Sequence, residues 1–313
     1  MAVAAVVGTA AADALRRDGG ETKPATTASE PDAALPAALQ RLGARGELVL
    51  HDGVCGVRLL VMPSLERTGE DESGCVPSGA ESPDGSTVAR CLGEGVELFS
   101  GGGFVRALPG CAPAFRPDGV LTVALDGAIV RFRLCANRRG SCTRTLIPPA
   151  ELERAAMLHP TVPDRIAQIR ALVDGVAWLS RRRAAVAISI RLGGRFEPLG
   201  PLSVIAFFEG GRLERTQPYF RATGGRLGAS PRGTYVTRTP DVILRGDGSE
   251  VSLPRHLGDA RDFAWSPDER FLALASRYAV TVVEVASLER YDRTGGGLWS
   301  VTIPQPAARL SWR

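Results

Sequence analysis

The sequence predicts an all-β fold, a six-bladed β-propeller closed by its C-terminal strand, and three observations support this prediction. From about residue 46 onward, short runs rich in Val, Leu, Ile and Phe alternate with Gly, Pro and Asp turns, which is typical of antiparallel strands. One four-residue turn recurs along the chain. The last residues of the chain also resemble the strand that the first blade lacks.

The recurring turn follows an apolar or small residue and precedes two strand-like runs. Proline presets φ at the first central position, Asp accepts hydrogen bonds from nearby N–H groups, and Gly tolerates the positive φ that closes the turn. The small sheet at each turn cannot bury both faces alone, so neighbouring sheets must stack as propeller blades. The turn reads SPDG at 82–85, RPDG at 116–119, SPRG at 230–233 and SPDE at 266–269, and a degenerate copy follows Trp178.

The C-terminus provides the strand that closes the ring. Residues 308–313 match the approach to a turn, as in 262–265, but no turn follows them. The first strand-like runs, 46–52 and 55–63, have no inner strand before them, so we expect the C-terminal strand to complete blade one. The other blades are then about 72–107, 111–147, 174–216, 224–253 and 261–303. Five or seven blades stay open as alternatives, because the copy after Trp178 is degenerate.

These residues resemble the WD40-like (PD40) repeats of TolB-type β-propellers. Blades of that family have an apolar residue, a Ser-Pro-Asp-Gly turn and then Leu-Ala-like strands. The resemblance covers roughly residues 46–313. It implies the propeller fold and leaves the function open, because proteins with many different roles share this repeat.

The first residues of the chain indicate export. Residues 1–17 begin with an Ala- and Val-rich stretch that resembles a signal segment or the end of a truncated membrane anchor. The stretch has no basic start and is shorter than the roughly 20 apolar residues of a spanning helix. Residues 18–36 are polar and rich in Gly, Thr, Glu and Pro, as expected of a tether, so we expect a linker over residues 18–45. A frayed Ala-rich N-terminus is the alternative.

The six cysteines all lie between residues 55 and 142 and predict disulfides. Two pairs are 20 residues apart and run from one blade to the approach of the next, and a third pair flanks a short hairpin. Disulfides imply an oxidising compartment, whereas reduced buried cysteines are the alternative. We expect no metal site, because Cys-x-x-Cys is absent and the histidines are distant. The predicted pairs are Cys55–Cys75, Cys91–Cys111 and Cys135–Cys142.

Residues 148–173 interrupt the β pattern and predict a helical insertion between blades three and four. Prolines and acidic residues open a first helix, and Asp164 is placed to cap a second helix with an apolar face that includes Ile169 and Val173. The insertion is a candidate docking element, although its apolar face could simply pack on the propeller. The candidate partner-binding residues are Glu151, Glu153 and Arg154.

Charge and motifs narrow the range of functions. The net charge is +4, Lys23 is the single lysine, and the arginines are spread along the chain, so we expect no nucleic-acid partner. The sequence contains no phosphate loop, His-Glu-x-x-His motif, calcium loop or nucleophile elbow, and we therefore expect no cofactor. The tripeptide at 245–247 fits a hairpin turn better than an adhesion motif.

The leading hypothesis is therefore a monomeric binding or scaffolding propeller at the cell envelope. Its partner would be a protein or a small ligand at a channel mouth or on the insertion. One alternative is a hydrolase or lyase with its active site at a channel mouth, and another is an accessory domain of a partner encoded upstream. Clustered acids or histidines with perturbed pKa values at a mouth would favour the enzyme. An apolar patch there or on 148–173 would favour protein binding.

Overall fold

The computed structural model describes most of the chain from residue 34 onward. The predicted signal or anchor segment, residues 1–17, lies outside the described residues, as do Cys55, Cys75 and Cys135. The described residues are 34–51, 57–70, 79–93, 95–134, 141–162, 169–193, 202–219, 226–239, 242–254, 257, 260–305 and 307–312.

The described strands form six four-stranded antiparallel sheets, which are the blades of a propeller. In blades two to six, the strands follow chain order from the innermost strand outward. Six blades are thus confirmed over the alternatives of five and seven. Blade one contains β1 (Gly46–His51), β2 (Val57–Met62) and β3 (Glu66–Glu70), and blade two contains β4 (Ala80–Glu81), β5 (Thr87–Leu92), β6 (Gly95–Ser100) and β7 (Gly103–Pro109).

The remaining blades repeat this plan with strands of different lengths. Blade three contains β8 (Cys111–Phe115), β9 (Leu121–Leu125), β10 (Ala128–Leu134) and β11 (Ser141–Ile147). Blade four contains β12 (Ile169–Trp178), β13 (Arg183–Leu192), β14 (Leu202–Glu209) and β15 (Arg212–Tyr219). Blade five contains β16 (Leu227–Ala229), β17 (Tyr235–Arg238), β18 (Val242–Arg245) and β19 (Glu250–Val251). Blade six contains β20 (Asp262–Trp265), β21 (Phe271–Ala275), β22 (Val280–Glu284) and β23 (Ser300–Ile303).

The C-terminal strand β24 (Arg309–Trp312) closes the ring as the innermost strand of blade one. It pairs antiparallel with β1, with Leu310 opposite Leu50 and Trp312 opposite Leu48. These four side chains are buried, so backbone hydrogen bonds and apolar packing both hold the closure. The predicted closing strand is confirmed.

A helix that we did not predict lies beside this closure. Helix α1 (Ala34–Leu42) falls inside the segment 18–45, which was expected to be a linker. Its Leu39 is fully buried in an apolar cluster that includes residues of blades one and six. After the helix, the carbonyl of Arg45 accepts a 3.0 Å hydrogen bond from Nε1 of Trp312. The linker prediction is therefore wrong for residues 34–45, because burial of Leu39 attaches this part to the propeller.

The recurring turns have the geometry that their sequence predicts. In blade two, Ser82 Oγ donates to Asp84 Oδ1 at 2.6 Å and accepts from the N–H of Thr87 at 2.9 Å. In blade six, Ser266 Oγ makes the same two bonds, to Asp268 at 2.7 Å and from Phe271 at 2.9 Å. One serine hydroxyl thus links the turn to the start of the second strand in both blades.

Two tryptophans at the ends of innermost strands connect neighbouring blades. Trp178 of blade four donates from Nε1 to Thr122 Oγ1 of blade three at 2.9 Å. Trp265 of blade six donates in the same way to Thr237 of blade five at 3.0 Å. All four residues are buried, so each bond satisfies two polar groups in an apolar setting. These bonds fix the position of one blade against the next.

The predicted insertion between blades three and four contains one described helix. Helix α2 (Pro149–Met157) has proline at its first position, where the missing N–H costs nothing. It buries Leu152, Ala155 and Ala156 in the apolar cluster that surrounds blade four. The first predicted helix is therefore confirmed, and so is the packing of its apolar face on the propeller.

The second predicted helix is wrong where the structure describes it. Residues 163–168 lie outside the described residues, and from Ile169 onward the chain is β12, paired with β13. Ile169, Ala171 and Val173 alternate along this strand and pack against the apolar cluster of blade four. A short apolar run fits a strand face as well as a helical face, and pairing with β13 decides between them.

Another unpredicted helix, α3 (Val285–Thr294), connects β22 to β23 in blade six. Arg245 of blade five donates to Glu289 Oε2 at 2.6 Å and to Asp292 Oδ2 at 2.7 Å, both on α3. Arg245, the first residue of the tripeptide 245–247, thus forms ion pairs within the protein. The tripeptide lies at the hairpin between β18 and β19, as predicted.

Candidate binding site in the central channel

The innermost strands of the six blades surround a central cavity of about 580 Å³. This volume is in the range of small-molecule sites. Both apolar and charged side chains line the cavity. Each blade contributes from its innermost strand, for example Glu81, Ala114, Asp174, Leu227, Asp262 and Arg309.

Most charged groups of the cavity stand near the starts of the innermost strands. Arg226 directly precedes β16, Asp262 begins β20 and Arg309 begins β24. The innermost strands of a propeller all run in the same direction along the channel axis. Residues at their starts therefore lie at one end of the channel. The recurring turns follow the ends of the same strands and lie at the other end. We call the first end the charged mouth; it comprises Asp174, Arg226, Arg261, Asp262 and Arg309.

At the charged mouth, Arg226 and Asp262 connect three blades. Arg226 Nη1 donates to both carboxylate oxygens of Asp262, at 2.9 and 3.1 Å, and to the carbonyl of Leu310 at 3.2 Å. The N–H of Leu310 donates to Asp262 Oδ2 at 2.6 Å. The N–H and the carbonyl of the buried Leu310, on the inner edge of the closing strand, are therefore satisfied by an ion pair from blades five and six.

Arg309 is a buried cation of the same mouth, with only 8 % of its surface exposed. Its Nη2 donates to the carbonyl of Gly79, and Glu81 Oε1 lies 3.9 Å away. Nε has no hydrogen-bond partner among the residues that the structure describes. Burial lowers the pKa of this guanidinium, and the positive charge of Arg226 lowers the pKa further. The site therefore holds Arg309 in an environment that disfavours its charge.

Arg238 lies behind the charged mouth and is 1 % exposed. Its guanidinium lies 5.1 Å from the ring centre of Tyr219, and one nitrogen is 3.5 Å from Asp174 Oδ2. Within the described part of the chain, none of its three nitrogens has a hydrogen-bond partner. Asp174 also accepts a 2.5 Å hydrogen bond from Ser189 Oγ. A second buried cation thus contributes positive charge to this end of the channel.

At the opposite mouth, neighbouring turns contact one another. Glu269, which takes the positive-φ position of its turn with φ of 61°, accepts a hydrogen bond from the N–H of Arg232 in the preceding turn. Arg181, in the run 181–183, lies 3.8 Å from Asp118 of the turn in blade three. The ion pair involves the exposed Arg181 and the hydrogen bond involves the buried Glu269, and both join adjacent turns.

The structure describes one of the three predicted disulfides. Cys91 of β5 is bonded to Cys111 of β8, with Cα atoms 5.1 Å apart, so this prediction is confirmed. The bond joins blade two to the innermost strand of blade three. The pairs Cys55–Cys75 and Cys135–Cys142 lie outside the residues whose side chains are described, and they stay predictions.

The predicted partner-binding residues lie on α2, away from the channel. Glu151 Oε2 accepts a 2.6 Å hydrogen bond from the N–H of Leu213, and Arg154 Nη2 donates to the carbonyl of Leu213 at 3.1 Å. Glu153 is exposed. Their role in partner binding stays a prediction, while two of them also attach the helix to β15.

Sequence reasoning missed the charged mouth as a site. Asp262 and Arg309 are the first residues of the runs that approach a turn, DFAW and RLSW. That position helps to count blades, but the charges converge only when the ring closes. Among the described residues there is no cluster of His, Cys, Asp and Glu that could hold a metal ion. No described helix is long and apolar enough to span a membrane.

Comparisons with known proteins give structural likeness at low sequence identity. No protein-family model matches the chain, and no curated protein matches it. The hydrazine synthase of Kuenenia stuttgartiensis is similar over 82 % of this chain and 83 % of its own, with 15 % identity and a TM-score of 0.47. The Cps50 (Swd1) β-propeller domain of Myceliophteria thermophila is similar over 86 % of this chain and 91 % of its own, with 10 % identity and a TM-score of 0.46.

Proposed function

We propose that the chain is a non-enzymatic binding propeller that holds a protein partner on the end of helix α2. Met157 and Leu158 carry this proposal, because these adjacent side chains are 55 % and 57 % exposed. Exposed apolar side chains that adjoin one another, rather than single ones, are typical of a surface that a partner covers. We call this surface the α2 patch; it comprises Glu153, Met157 and Leu158.

The helix that presents the α2 patch is held rigidly. Leu152 is fully buried on its inner face, and Glu151 and Arg154 both bond to the backbone of Leu213. A preformed surface loses little conformational entropy when a partner binds. Glu151 and Arg154 thus support binding by fixing the helix, and the exposed Glu153 is the charged contact that we propose for the partner.

The enzyme alternative needs a carboxylate that can exchange a proton with a substrate. Asp262 instead accepts hydrogen bonds from Arg226 and from the backbone of β24. Asp174 accepts one from Ser189 and lies beside Arg238. Because these two carboxylates connect strands and blades, the described geometry supports binding better than acid–base chemistry.

The site of action that we propose is outside the cytoplasm, with residues 1–17 as a signal or tether and the protein as a monomer. The disulfide between Cys91 and Cys111 supports this location, because such bonds persist in oxidising compartments. The SPDG and SPDE turns support membership of the TolB-type WD40-like (PD40) repeat family. Peptide mapping of the natively isolated protein without reductant tests the location, and six free thiols would contradict it.

The partner proposal is tested by capture from an envelope extract of the source cells after chemical crosslinking. The test variant combines Met157→Asp with Leu158→Asp, and Glu153→Lys is tested separately. Tyr278→Asp is the matched control, since Tyr278 is an exposed aromatic residue on blade six. We expect the double variant to lose a specific partner that the wild type and the control retain.

Unfolding must be excluded for each variant by circular dichroism and thermal denaturation. Equal capture by the wild type, the double variant and the control would overturn the proposal. Replacement of the whole predicted insertion is unsuitable for this test, because β12 begins at Ile169 and would lose its first residues.

A further inference from the structure

The cavity that contains the charged mouth, a site separate from the α2 patch, is lined by more arginines than carboxylates. Four arginines line the cavity against three carboxylates, and Arg238 adds a fifth guanidinium behind them. The lining arginines are Arg90, Arg226, Arg261 and Arg309, and the carboxylates are Glu81, Asp174 and Asp262.

The ion pairs within this group are unequal. Arg226 and Asp262 are in direct contact at 2.9 Å, and Arg90 pairs with Glu97, which is outside the cavity lining, at 2.6 Å. Arg309 lies 3.9 Å from Glu81, which is too long for a hydrogen bond. The positive charge that remains is therefore concentrated on Arg309, which begins β24, and on Arg261, which directly precedes β20.

The Arg309 guanidinium is incompletely satisfied. Residue Arg309 is 8 % exposed and lines the cavity, yet its enclosed Nε has no hydrogen-bond partner in the described part of the chain. Buried donors in folded proteins are nearly always paired. Arg261 is exposed at the rim of the same cavity. Because Arg309 and Arg261 both line the cavity, an anion in the channel would meet the positive charge of both.

We propose that the charged mouth binds a small ligand through an oxyanion, a carboxylate or phosphate group held between Arg261 and Arg309. The planar guanidinium fork matches the two oxygens of such a group and binds them with two parallel hydrogen bonds. The cavity of about 580 Å³ has room for a small organic acid or phosphate ester. Buried Arg238 strengthens the attraction through its positive charge.

The experiment is isothermal titration calorimetry of the full chain with succinate and, separately, with inorganic phosphate. Sodium chloride at the same ionic strength is the reference. Arg261→Gln is the test variant because Arg261 is exposed and its loss leaves β20 intact. Arg181→Gln is the matched control, since Arg181 is an exposed arginine at the opposite mouth. We expect saturable binding that Arg261→Gln weakens about tenfold, the loss of one charge-assisted contact, and that Arg181→Gln leaves unchanged.

Each outcome decides the proposal. Binding of succinate alone assigns a carboxylate ligand, and binding of phosphate alone assigns a phosphate ligand. No saturable heat with either anion up to about 10 mM, well above the Kd of specific sites, would overturn the proposal. Equal loss of affinity in both variants would overturn it too, because it would show general attraction to a basic protein. Neither result bears on the α2 patch, which has its own test.

Discussion

Blade two and blade four use the same four-stranded plan but are held in the ring in different ways. In blade four, all seven residues of β13 from Ala184 to Ile190 are buried, and Phe208 of β14 is fully buried beside helix α2. In blade two, the equivalent strand β5 buries only Val88 and Ala89 among its six residues, and the outer strand β7 buries only Leu108 among its seven. Blade four is thus enclosed by apolar neighbours, whereas one side of blade two faces water.

The disulfide lies in blade two, the less buried of these two blades. Cys91 and Cys111 join blade two to blade three, where less apolar surface is buried. Blades of a propeller contact only their neighbours, so strong packing in blade four cannot compensate for weak packing in blade two. We infer that a covalent bond takes the place of apolar burial in the less enclosed of the two blades.

The largest effect that we expect concerns the core of blade four. Phe208→Ala should lower the free energy of unfolding by about 3–5 kcal/mol, because it removes apolar burial and leaves a cavity. The loss should be similar with and without reductant in urea denaturation. Phe104→Ala in the exposed strand β7 is the control and should cost less than about 1 kcal/mol. Similar losses in the two variants would remove the contrast between the blades.

Removal of the disulfide should have the next largest effect. Replacing both Cys91 and Cys111 by serine should cost about 2–4 kcal/mol under oxidising conditions, since the bond closes a loop with a sequence separation of 20. Hydrogen exchange should accelerate in blades two and three and stay slow in β13 of blade four. Equal acceleration in β13 would show that the ring opens as one unit, contrary to our comparison.

The same contrast explains how much of the fold the sequence could predict. The turns and the closing strand were predictable because short-range chemistry fixes each turn, and each blade repeats it. The Cys91–Cys111 bond was predictable from equal spacing on equivalent blades. Residues 169–173 were assigned to a helix because a short apolar run does not define its period, and only pairing with β13 makes them a strand.

Other features depend on contacts that the linear sequence does not contain. Leu39 of α1 is buried only because blades one and six meet beside it. The sequence did contain a signal for the end of α3, since a glycine, Gly295, follows it. Glycine commonly ends a helix in the left-handed conformation, as it does here. The charged mouth could not be predicted, because Arg226, Asp262 and Arg309 come from three blades and meet only in the closed ring.

Glycines in two recurring turns offer a smaller test of the contrast, because the turn of blade five contacts blade four and the turn of blade two is open. Gly233 has φ of 72°, and a Cβ atom there would lie 2.1 Å from the carbonyl oxygen of Leu179 in blade four. Gly85 of blade two has φ of 69°, but a Cβ atom there would meet nothing within 4 Å. Gly85→Ala should cost about 1 kcal/mol for left-handed backbone alone, and Gly233→Ala about 2–3 kcal/mol because crowding adds to it. Equal losses in thermal denaturation would contradict this difference.

The smallest effect concerns the acid sensitivity of the turn in blade two. The hydrogen bond from the Ser82 hydroxyl, followed by bonds from the N–H and hydroxyl of Ser86, lowers the pKa of Asp84 from 3.8 to about 2. Because the folded pKa is below the unfolded one, this contribution to stability is present above pH 3.8 and is lost as the pH falls through about 2. The turn of blade five has Arg232 at the same position and no carboxylate to titrate.

Nuclear magnetic resonance can follow both turns through one acid titration. The carboxyl carbon of Asp84 should titrate near 2, and the amide of Thr87 should shift with it as its contact with Ser82 loosens. In blade five, the N–H of Tyr235 donates a hydrogen bond to Ser230 Oγ. The amide signal of Tyr235 should not follow this titration. Asp84→Asn should remove the shift at Thr87 over this pH range. If Asp84 titrated at its ordinary value of 3.8 instead, the serine bond that closes the turn of blade two would be absent in solution.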